Sequence, residues 1–184
     1  MKTINAVIVF VVTALFFGLA ILPSSNAGFS KTDTSTVQDI IILRFEPDGN
    51  VITTKTNIEI SNKSNVLETI RKKCNGLYEN DEELQQFIDK KGDSYTKIDS
   101  QGYGFHFAFF RPMRQSKLIF RSAILYRYFN DEDYTKANNQ TIALGPHKGR
   151  ILGFIGYVCF SDRFFGYTAI NGYSIFRTDI KPTI

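Results

Sequence analysis

The chain has 184 residues, of which 43% are hydrophobic and 14% aromatic, and it carries a formal net charge of +4. That content is too apolar for a disordered chain, and the length is too short for two sizeable cores, so one domain is expected. Collagen periods, heptad runs, low-complexity tracts and repeats of roughly 20–50 residues are all absent.

Lys2 precedes an apolar run from Ala6 to Leu22, and Pro23-Ser24-Ser25-Asn26-Ala27 follows. Small Ser25 and Ala27 stand three residues and one residue before a cut ahead of Gly28, the layout of a secretory signal peptide. Residues 1–27 are read as that leader, 28–36 as a loose polar segment and 37–184 as a single domain. The alternative for 1–27 is an uncleaved signal-anchor, since about seventeen apolar residues just reach across a bilayer. Removal of the leader implies a secreted chain with no stable membrane association.

Val37 to Phe45 is rich in β-branched residues, Pro47-Asp48-Gly49-Asn50 is a turn signal, and Val51 to Ile60 alternates Thr and Ile. The spacing predicts an antiparallel hairpin. Two helices follow, over Val66–Lys73, closed near Gly76, and over Asp81–Lys91. For the second, Asn80 or Asp81 caps the start, acidic side chains fill the first turn, and Lys90 and Lys91 face the negative end, with Gly92 beyond. Strands are then predicted over Phe105–Phe110, Lys117–Phe129, Arg150–Phe160, Phe164–Ile170 and Tyr173–Phe176. Ser161-Asp162-Arg163 and Asn171-Gly172 are read as tight turns. The expected fold class is α+β: a hairpin, one or two helices, then a four- to five-stranded antiparallel sheet.

Charge divides unevenly. Gly28–Asp99 holds ten Lys and Arg against thirteen Asp and Glu, whereas Ser100–Ile184 holds eleven against five. The sheet half is therefore basic, and its field favours an acidic partner. The densest basic segment interleaves Arg111, Arg114, Lys117, Arg121 and Arg127 with Phe109, Phe110, Phe120, Tyr126 and Tyr128, a pattern suited to phosphate contact with base stacking. Read as an ordinary strand, the same segment puts Lys117, Arg121 and Arg127 on one side and Ile124, Tyr126 and Tyr128 on the other.

Catalytic signatures are sparse. There is no Gly-x-Ser-x-Gly elbow and no complete phosphate-binding glycine loop. Asp131-Glu132-Asp133 reads as a solvated loop, and two cysteines with two histidines fall at no zinc-finger spacing, so neither metal nor cofactor is expected. In an oxidising compartment Cys74 and Cys159 are most simply one disulfide, worth about 4 kcal/mol for so long a loop. Asn62-Lys63-Ser64 and Asn139-Gln140-Thr141 are glycosylation sequons. His106 and His147 are the available imidazole bases.

The run Cys74-Asn75-Gly76-Leu77-Tyr78-Glu79-Asn80-Asp81 resembles the Cys-Gly-x-x-Tyr-Ser-x-x-Asp segment that opens the helix of small secreted fungal guanyl-type ribonucleases. It is also similar to the ribonuclease-like secreted effectors of powdery mildew fungi. The resemblance implies that His106, in Tyr103-Gly104-Phe105-His106, stands near the family's Tyr-Pro-His strand, and that Arg150 stands near its Arg-Val-Ile-Tyr arginine. It finds no catalytic glutamate, since Phe120-Arg121-Ser122-Ala123-Ile124-Leu125 offers only Arg121 or Ser122 there. The second histidine is also missing, at Ile170-Asn171-Gly172, and Cys159 lies about one hairpin before the family's last cysteine. A monomeric, secreted, non-catalytic effector is therefore expected, acting outside cells or in the host cytoplasm, that binds a host protein, RNA or ribosome to dampen defence. Its expected contact residues are Arg111, Arg114, Lys117, Arg121, Arg127 and Arg150. The rivals are an active endoribonuclease using His106 and Arg150, and an extracellular structural or small-ligand-binding protein.

Overall fold

The computed structural model describes residues 36–60, 66–91, 94–111 and 121–183. The expected leader, Asn62, Gly92, Arg114 and Lys117 lie outside the described residues. β1 (Thr36–Phe45) and β2 (Val51–Ile60) form the expected hairpin. The Gly49 N–H bonds back to Glu46, and the Asp48 carboxylate accepts the Asn50 N–H at 2.9 Å, which locks the turn.

α1 (Val66–Glu79) buries Val66, Ile70, Cys74 and Tyr78. The four-residue spacing draws one apolar stripe down the helix. The helix does not close at Gly76 as expected, because Tyr78 lies on that stripe and its burial carries the helix one turn further. The segment resembling the ribonuclease helix start therefore straddles the end of α1 and the start of α2 (Glu82–Lys91). Asp81 is the N-cap of α2: its Oδ1 accepts the Leu84 N–H at 3.1 Å. Arg44 and Tyr157 reach the same carboxylate at 2.7 and 2.8 Å, so the cap also ties α2 to β1 and the sheet.

Among the described residues six strands follow: β3 (Thr96–Arg111), β4 (Arg121–Tyr128), β5 (Tyr134–Ala137), β6 (Gln140–Leu144), β7 (His147–Phe160) and β8 (Phe165–Pro182). This corrects the expected four to five. β5 and β6 are an additional hairpin, turned by Asn138 and Asn139 with φ of 48° and 65°. Asn171-Gly172 is not a turn; it lies within β8, paired with β3 and β7 on its two edges. Ser161-Asp162-Arg163 is the tight connection expected.

The eight strands among the described residues pair antiparallel in one sheet, ordered β2-β1-β7-β4-β3-β5-β6, and β8 bridges β3 and β7. The path β7–β4–β3–β8 thus returns to β7 as a closed ring. A bulge between Leu152 and Phe154, at Gly153 with φ of 65°, flips the side-chain parity of β7. Before the bulge β7 pairs with β4; after it, with β1.

The parity change sorts the core into two layers. Ile124, Tyr126, Tyr128, Ile151, Phe154, Val158 and Ile170 fill the ring interior. Ile155, Tyr157, Cys159 and Ala169, on the outer face beyond the bulge, pack under α1 and α2. Gly102 and Gly149 admit the interior tyrosines: a Cβ on either would stand 2.3 Å from the Tyr128 ring or 2.1 Å from the Tyr126 ring.

Polar groups in the interior form a satisfied chain. His147 Nδ1 donates to the Gly145 carbonyl at 2.6 Å, and in that tautomer Nε2 accepts from the Thr135 hydroxyl at 2.7 Å. Thr135 Oγ1 lies 2.8 Å from both Tyr126 Oη and Ser100 Oγ. Burial pushes the Tyr126 phenol up to about 12. Asp133 is not a solvated loop residue. It is fully buried, and its carboxylate accepts the backbone N–H groups of Tyr103, Phe129 and Asn130, pinning β3 to the end of β4.

Candidate functional site

α1 and α2 cover the outer face of the ring only beyond the bulge. On the uncovered half, the strand register aligns side chains in rows. Phe105, Arg127, Lys148 and Lys181 make one row across β3, β4, β7 and β8. Phe107, Leu125, Arg150 and Asp179 make the next, and Phe109, Ala123 and Leu152 lie beyond them. Directly paired residues share a face, so every row carries a phenylalanine on β3; the first is cationic on β4, β7 and β8, and the second sets Arg150 on β7 beside Asp179 on β8.

The aromatic side extends past β3. Phe105 packs edge-on against Phe129 at 5.8 Å and tilted against Phe165 at 4.8 Å, while Phe107 stacks on Phe109 at 6.0 Å and meets Phe164 at 5.4 Å. These six phenylalanines are 38–56% exposed. A contiguous exposed apolar surface of this kind makes this face the candidate site. The Arg127 guanidinium lies 5.5 Å from the Phe129 ring centre, joining the two halves of the face.

Between them lies a hollow of about 390 Å³, floored by Phe105, Phe107 and Leu125 and rimmed by Arg127, Lys148, Arg150 and Lys181. Asp179 is the only carboxylate among the residues lining it.

Of the expected contact residues, Arg127 and Arg150 meet at this hollow. Arg111 and Arg121 hold paired register positions at the far end of β3 and β4. Lys148, Lys181 and the Phe164–Phe165 pair were not among the expected contacts. Lys148 was legible in the alternation Lys148-Gly149-Arg150, which continues the strand period upstream of Arg150.

His106 and Arg150 do not share a face. His106 pairs with Tyr126, which pairs with Gly149, so its ring turns into the ring interior while Arg150 stands outside. Both imidazole nitrogens are also engaged: Nε2 donates to the Asp162 carbonyl at 2.6 Å, and Nδ1 accepts from the Thr168 hydroxyl at 2.7 Å. Burial holds the imidazole below its ordinary pKa, against the opposing pull of the Asp162 and Gly104 backbone. The geometry leaves these two residues unable to act on one phosphate.

Cys74 and Cys159 come together as expected, but as two buried thiols 3.3 Å apart rather than as a disulfide. Burial and the neighbouring Cys159 thiol hold Cys74 well above the usual thiol range. Among the described residues no cluster of His, Cys, Asp or Glu could hold a metal ion, and no helix is long and apolar enough to cross a membrane. Comparison with protein-family models, curated proteins and solved structures finds no match for the chain.

Proposed function

We propose that the chain is a secreted, monomeric, non-catalytic effector of ribonuclease-like architecture that holds single-stranded RNA on the outer face of β3, β4, β7 and β8 inside a host cell. The observation that carries this reading is the row Phe105–Arg127–Lys148–Lys181, which sets exposed phenyl rings beside a line of cations. Phosphates meet the cations, and unstacked bases meet the rings, at about 1–3 kcal/mol per stacked base. A duplex presents phosphates but hides the faces of its bases, so the aromatic half selects single strands. The hairpin–helix–antiparallel sheet order supports the ribonuclease-like reading. The engagement of His106 and its separation from Arg150 support binding over cleavage.

The hollow supports a second reading, in which one small apolar anion is the physiological ligand. Its floor is phenyl and leucine and its rim cationic, which suits such a molecule without any polymer.

The test is fluorescence anisotropy of the mature chain with a labelled single-stranded RNA, the matching duplex and anionic vesicles. The single strand should bind at least tenfold tighter than the duplex and remain uncut, and Arg127→Glu with Lys148→Glu should weaken it at least tenfold. Binding to vesicles without RNA, or affinity unmoved by the charge reversal, overturns the assignment.

A further inference from the structure

At the opposite end of β3 lies a second cleft, of about 510 Å³, lined in part by Asp89, Tyr95, Lys97, Asn138, Asn139 and Tyr173. That volume falls within the roughly 300–1,000 Å³ of small-molecule sites. Its walls are held in place. Tyr95 stacks on Phe87 with ring centres 6.3 Å apart and planes 13° from parallel, and Tyr173 leans on the buried Tyr78 ring at 6.4 Å. The β5–β6 turn is clasped to β3: the Asn138 N–H donates to the Lys97 carbonyl at 2.9 Å, and the Asn138 side-chain oxygen accepts the Lys97 N–H at 2.9 Å. That clasp fixes the next residue, Asn139, on the rim.

Asn139 opens the sequon Asn139-Gln140-Thr141, and all three residues are exposed. A modification acceptor thus stands beside a built cleft of two tyrosine rings, a carboxylate, an ammonium and an amide. Ring faces suit the C–H face of a pyranose, Asp89 accepts its hydroxyls, and Lys97 donates to its oxygens.

We propose that Asn139 carries an N-linked glycan whose innermost N-acetylhexosamine lies in this cleft against Tyr95 and Tyr173. In the attachment step the Asn139 amide nitrogen bonds to the anomeric carbon of a lipid-pyrophosphate-linked oligosaccharide. The carbon–oxygen bond to the pyrophosphate breaks, the lipid pyrophosphate leaves with the electron pair, and the amide nitrogen releases one proton. The proposal rests on the secretory reading of residues 1–27. It leaves the RNA-binding face clear: Phe107 is ten positions along β3 from Lys97, about 33 Å at about 3.3 Å per residue.

The test expresses the full chain with Asn62→Gln in a glycosylating eukaryotic host, once with its own leader and once behind a heterologous cleavable leader. Peptide mass mapping of the secreted chain should show Asn139 occupied. Enzymatic release of the glycan from the folded protein should be at least tenfold faster in Tyr95→Ala, with the variant shown folded by its thermal melt. An unmodified Asn139 in chain secreted behind the supplied leader overturns the proposal. So does a release rate that Tyr95→Ala does not change. Failure of the native leader alone overturns only the secretory reading, and neither readout involves RNA.

Discussion

Asp81 shows how one side chain serves several elements at once. Its carboxylate caps α2, pairs with Arg44 from β1 and accepts the Tyr157 hydroxyl from β7. Burial alone would raise its pKa, but the Arg44 guanidinium, the Leu84 N–H and the Tyr157 hydroxyl outweigh burial and hold it below the ordinary carboxylate range. A depressed pKa adds stability above the unfolded value of about 3.9 and loses it as pH falls through the folded value. Asp81→Ala should therefore cost about 2–3 kcal/mol at pH 7, from the lost cap and the stranded Arg44. Asp81→Asn keeps the cap and should cost about 1 kcal/mol. In urea melts taken across pH, the gap between the wild type and Asp81→Asn should narrow as pH falls below about 4 and vanish once the folded value is passed; a gap that does not narrow with falling pH denies the carboxylate this role.

At the scale of elements, the sequence showed most clearly what is local. The first hairpin followed from Pro47-Asp48-Gly49-Asn50, and the second helix from its cap and end charges. The β5–β6 hairpin was missed because its strands are only four and five residues long, although Asn138-Asn139 is a sound signal for a turn of positive φ. Asn171-Gly172 carried a false signal of the same kind. Flanked by β3 and β7, its backbone groups are taken up by ladders on both edges, and that pairing overrides the turn propensity. Of the candidate face, Arg127 and Arg150 were readable as strand residues of known parity, whereas their meeting with Phe105 and Lys181 depends on register between distant strands.

The thiol pair belongs to the same scale, because it joins α1 to β7. Both sulfurs are buried and Cys74 is held in its protonated form, so the folded chain should resist oxidation. Bridging is expected during folding in an oxidising compartment, when the thiols are still accessible to a disulfide donor. Secreted chain should carry one Cys74–Cys159 bridge and resist alkylation without reductant, and its reduction should lower stability by about 2–4 kcal/mol. Free thiols at both positions in freshly secreted chain would contradict this.

For the whole molecule, closing β7–β4–β3–β8 into a ring and bulging β7 at Gly153 divides the outer face in two. Helices cover one part; phenyl rings and cations occupy the other. Four of the eleven Lys and Arg residues of the second half, Arg127, Lys148, Arg150 and Lys181, thereby stand beside an exposed aromatic surface. The most direct test is the salt dependence of binding to a short single-stranded RNA, measured for the wild type, Lys148→Ala and Phe107→Ala. With four cations on phosphates, the logarithm of affinity should fall against the logarithm of salt with a slope of about −3 or steeper. Lys148→Ala should flatten that slope by about 0.7, and Phe107→Ala should weaken binding by about 1–3 kcal/mol with the slope unchanged. A slope near zero, or a Phe107→Ala chain that binds as tightly as the wild type, would contradict an RNA-binding face built from paired rings and cations.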